Sequence, residues 1–141
     1  MVQTGCEIVQ QLDQAFAALI VSLKDLAPSV PPDLLLRSAA AIEQMCGGLT
    51  SNLWDDPFEW TLPETLSNTD RVIEYLSEVD LARERAFNAI VADGALVKYI
   101  SVPSGESRML ISVLLETLVR ASELRGRASA ARGKQTGSVI I

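Results

Sequence analysis

At 141 residues and 15.2 kDa, with 48% hydrophobic and 21% charged residues, the chain suits one globular domain with a buried core. Its net charge of −6 argues against a nucleic-acid binder, and no apolar run approaches the roughly 18 residues that cross a membrane. Histidine is absent, which removes the commonest general base and the commonest metal ligand.

The first predicted helix runs from about Gln3 to Leu26, with Val9, Leu12, Phe16, Leu19, Leu23 and Leu26 spaced by threes and fours. Within it, "FAALIVSL" (16–23) lacks a basic flank and a cleavage site, so it does not read as a signal peptide. Together with two sparse cysteines, Cys6 and Cys46, and no CxxC, that favours a reducing cytoplasm. "APSVPP" (27–32) ends the helix, because proline lacks the amide hydrogen.

The second helix is expected over Pro32–Leu53, on the stripe Leu35, Ala39, Ile42, Cys46, Leu49 and Leu53. Gly47-Gly48 within it costs about 1 kcal/mol per glycine relative to alanine and calls for a close backbone approach or a kink. A connection of about 13 residues follows (54–66), carrying Trp54, Phe58 and Trp60, which suit a plug at one end of a bundle.

"SNTD" (67–70) starts the third helix, with Ser67 as its cap and Val72, Leu76, Val79, Ala86, Phe87 and Ile90 facing inward. Asp93-Gly94 supplies its stop. "LVKYISV" (96–102) tolerates β-structure and could pair weakly. The fourth helix opens after "PSGE" (103–106) and runs to about Arg132, on Leu110, Leu114, Thr117, Ala121, Leu124, Ala128 and Ala131. Gly133 would end it and leave 133–141 as a tail. Four helices of matching length, each with one apolar stripe, predict an all-α four-helix bundle over residues 1–132.

Charge is uneven. Arg120, Arg125, Arg127, Arg132 and Lys134 face only Glu123 in residues 120–141. These arginines suit a helix C-terminus; a small-anion site is the alternative.

The fourth helix, "VLLETLVRASELRGRASAARG" (113–133), resembles the last helix of the DinB/YfiT-like bundles, with Arg125-Gly126 at that family's arginine and glycine. "PSGESRMLISVLLETL" (103–118) and "EYLSEVDLARERAFNAI" (74–90) are similar to its approach to that helix and to its third helix. The resemblance implies an up-down-down-up bundle in which three histidines hold a divalent metal. Carried over by position, two ligands fall on Arg120 and Leu124 and the third near Cys46. Arginine has no acceptor lone pair and leucine cannot ligate, so the family's metal site is expected to be missing, with no cofactor in its place.

A substitute site would have to draw on Glu43, Cys46, Glu116 and Glu123. These residues, with Arg120 and Leu124, are the pocket candidates, and none is expected to be catalytic. Arg120, one turn from Glu116, is expected to neutralise it. The sequence thus favours a non-catalytic binding protein that forms a homodimer. Support comes from apolar positions outside the stripes: Leu34, Leu36, Val113, Leu118, Val139, Ile140 and Ile141. The alternatives are an enzyme with a remodelled, metal-free pocket in which Arg120 holds an anion, and a helical subunit of a larger assembly.

Overall fold

The computed structural model describes residues 6–51, 68–102 and 104–140. Among these the architecture is all-α, with four helices: α1 (Glu7–Leu26), α2 (Pro32–Ser51), α3 (Thr69–Asn88) and α4 (Leu110–Ile140). A 3₁₀ turn (Asp93–Val97) and a two-stranded hairpin, β1 (Tyr99–Ser101) and β2 (Ser107–Met109), join α3 to α4.

The helix ends follow from local chemistry. The α1 stripe is buried throughout, and the helix closes where the Ala27 amide donates back to the Leu23 and Lys24 carbonyls. Pro32 opens α2, where a missing amide hydrogen costs nothing. Neither Gly47 nor Gly48 ends α2, which continues to Ser51. The cap of α3 is Asn68, whose side chain accepts from the Arg71 amide at 2.9 Å. The expected cap, Ser67, lies outside the described residues, as do Leu53, Trp54, Phe58 and Trp60.

Asp93 does not stop α3, which ends at Asn88. Its carboxylate instead accepts from the Ile8 and Val9 amides at 3.1 and 2.9 Å. It thereby caps α1 from 84 positions along the chain, since Cys6 at the N-cap position offers no side-chain cap of its own. The weak pairing expected near 96–102 is present, with Ile100 opposite Arg108 in antiparallel register. Gly105, at φ 89°, makes the reversal between the two strands, where "PSGE" was expected only to lead into the fourth helix. The hairpin takes residues 107–109, so α4 starts later than the sequence suggested. It also passes through Gly133 to Ile140, and the expected break before a tail is not there.

α2 packs against both α3 and α4, and α1 packs against the same two helices, whereas α1 and α2 scarcely meet. The core therefore lies between α1 and α2, with α3 and α4 bridging them. Phe16 and Phe87 meet there at 5.8 Å between ring centres. Two residues expected outside the stripes, Leu36 and Val113, are in fact buried, and Leu34 and Leu118 pack on the core. A helix touching two neighbours needs an apolar arc rather than a single line. Leu124, expected in the core, is only half-buried.

Candidate functional site

Two places gather the chain's chemistry. The first is interior, around Cys46. This side chain is 1% exposed on the inner face of α2. Burial pushes its thiol up to about 12, with Arg83 pulling it down and Glu43 and Asp13 adding to the rise. Glu43 points to α3, where it accepts from the Tyr75 hydroxyl at 2.6 Å.

Beside them, Arg83 of α3 is ion-paired with Asp13 of α1, and its Nε donates to Asp80 at 2.8 Å. Burial alone would lower the Arg83 pKa, but the bonds to Asp80 and Asp13 raise it above its ordinary value. On the α4 side of α2, the fully buried Ser38 hydroxyl donates to the Ala121 carbonyl at 2.7 Å. Among the described residues no buried side-chain polar atom lacks a partner, and no group of three acidic or thiol side chains is placed to hold a metal.

The second place is an open groove of about 520 Å³ between α2 and α4. Ala41, Gln44 and Met45 form one wall. Leu115, Thr117 and Val119 form the other, with Glu116, Arg120 and Glu123 among them. Leu115 and Val119 are 45% and 59% exposed, so the groove has an apolar lip with charges along it.

The groove brings together three of the candidates, Glu116, Arg120 and Glu123. Glu43 and Cys46 belong to the interior cluster, and Leu124 does not line the groove. Nor does Arg120 neutralise Glu116. Arg108, brought round by the hairpin, holds both Glu116 oxygens, one of them at 2.8 Å. That bond holds the carboxyl below its usual range and raises Arg108. Arg120 itself forms no ion pair among the described residues.

Sequence reasoning missed Asp13, Asp80 and Arg83. The signal was there: Arg83 fills the gap between Val79 and Ala86 in the 72–76–79–86–90 stripe of α3. A charge at the empty position of an apolar stripe marks a buried ion pair. No family model matches the chain, and no similar curated protein or solved structure was found.

Proposed function

We propose that the chain is a DinB-like bundle without a metal centre, acting as a binding or interaction protein that pairs with a second copy of itself. The observation that carries this reading is the packing around Cys46. Its thiol is buried in the core beside Glu43 and Arg83 and raised to about 12, so on its own it stays protonated and a poor nucleophile at neutral pH. Arg120, at a position where the resemblance implies a ligand, stands on the outside. Both described thiols are free, as a reducing cytoplasm would keep them. Among the described residues no helix is long and apolar enough to cross a membrane.

Arg120 also favours a second reading, in which the groove holds a small anionic ligand. Glu116 and Glu123 in the same groove weigh against it.

Elemental analysis of protein expressed with zinc, nickel and iron supplements tests the first reading, and well under about one metal per chain is expected. About one per chain, lost on Cys46→Ser, would overturn it. Light scattering tests the pairing, because a mass that stays near 15.2 kDa at every concentration is incompatible with it.

A further inference from the structure

One exposed face of α4 carries Glu116, Arg120, Glu123 and Arg127, the first three of them along the open groove beside α2. Their spacing of four, three and four places them in one line along the helix. Each glutamate sits four residues before an arginine, the arrangement that favours pairing within a helix. Yet Glu116 is bonded to Arg108 instead, and Arg120, Glu123 and Arg127 form no ion pair among the described residues. The line thus offers alternating charge, and Val119 supplies apolar surface along its flank.

The order negative, positive, negative, positive becomes its own complement when the helix is reversed. We infer that this face of α4 docks on the same face of a second copy, antiparallel, about a two-fold axis between Ala121 and Ser122. The inference rests on the pairing proposed above and gives it a surface and a register. Arg120 then meets the partner's Glu123, and Glu123 meets the partner's Arg120. At the ends, Arg127 meets the partner's Glu116, whose oxygens retain lone pairs beyond those given to Arg108.

In-register parallel helices would set like charge against like. A strongly acidic or strongly basic partner would be repelled by half of the line. A second copy, reversed, satisfies every position.

Gly126 fits the same arrangement. Glycine is disfavoured inside a helix, and a Cβ built there meets nothing within 4 Å, so this chain's own packing gives no reason for it. In the reversed register the partner's Val119 comes within about 3 Å of Gly126 along the axis, on the same flank of the helix. A bare backbone at that point lets the two helices approach. The line from Glu116 to Arg127 covers about 17 Å of helix, a small interface that suits association in the micromolar range.

Sedimentation equilibrium of the full chain at low salt tests this, with circular dichroism confirming that each variant folds. The wild type is expected to dimerise, and Arg120→Glu and Glu123→Arg each to weaken the dimer at least about tenfold. The double reversal R120E/E123R is expected to recover most of that loss. Gly126→Leu, whose added Cβ meets nothing within 4 Å in its own chain, is expected to fold as a monomer.

A wild type that remains monomeric overturns both the pairing and this surface. A wild type that dimerises while the two single reversals and Gly126→Leu leave the constant unchanged overturns the surface alone.

Discussion

Removing the two carboxylates around Arg83 should cost far more together than the sum of the single losses. The Arg83 side chain is 10% exposed, while those of Asp13 and Asp80 are 36% and 35% exposed. The carboxylates can regain water when the pair is broken, but the guanidinium cannot. In Asp13→Asn the guanidinium keeps Asp80, and in Asp80→Asn it keeps Asp13. Each change therefore costs about 1 kcal/mol, the scale of one hydrogen bond to a charged group after allowance for partial exposure. In the double variant a nearly buried cation has no anion, and the penalty rises to about 3 to 4 kcal/mol. The expected coupling is therefore more than about 1 kcal/mol, well above the scatter of independent sites. Arg83→Met should be milder than the double carboxylate variant, because it fills the volume and leaves two groups that reach solvent. Urea denaturation followed by circular dichroism gives all four free energies. Single losses that add to the double within about 0.5 kcal/mol would show that the guanidinium escapes to water and that the cluster is not a closed unit.

Cys46 should resist alkylation in the native protein at pH 8, with Cys6 reacting first and Cys46 only on unfolding; equal rates would refute its burial. Its raised pKa also sets an alkaline limit. Below the reference value of 9.0 both states hold the proton and stability is unaffected; between 9.0 and about 12 the unfolded thiol ionises first. Stability then falls by up to about 1.4 kcal/mol per pH unit, a slope that Cys46→Ala should remove from the pH titration. Leu114→Ala should cost about 2 to 5 kcal/mol and Leu124→Ala clearly less, since Leu114 is fully buried and Leu124 half-buried. Similar denaturation midpoints for the two would mean that the inner face of α4 is misassigned.

The apolar spacing was enough to place all four helices, because threes and fours survive whatever the tertiary arrangement. Boundaries were less legible. The fourth helix was placed from the end of "PSGE", although its stripe begins only at Leu110, and the pairing of Ser107–Met109 with Tyr99–Ser101 decides its start. Leu36 and Val113 read as surplus because a single line was assigned to each helix, whereas α2 serves two neighbours. The groove was legible only in its α4 half. Glu116, Arg120 and Glu123 share a face by spacing alone, but which residues of α2 oppose them depends on how two helices meet. Arg108 reaches Glu116 because it lies on the second strand of the hairpin, and the sequence marked only the first strand as β-tolerant.

The Asp93 carboxylate at the start of α1 bears on how the chain acquires its structure. Its bond to the Val9 amide spans 84 positions, so the opening turn of the first helix lacks its Asp93 cap until the segment after the third has arrived. Contacts of such separation form late and slow the search for the native arrangement. The beginning of α1 and the 3₁₀ turn should then open and close as one cooperative unit, sharing a single hydrogen-exchange protection level despite their distance along the chain.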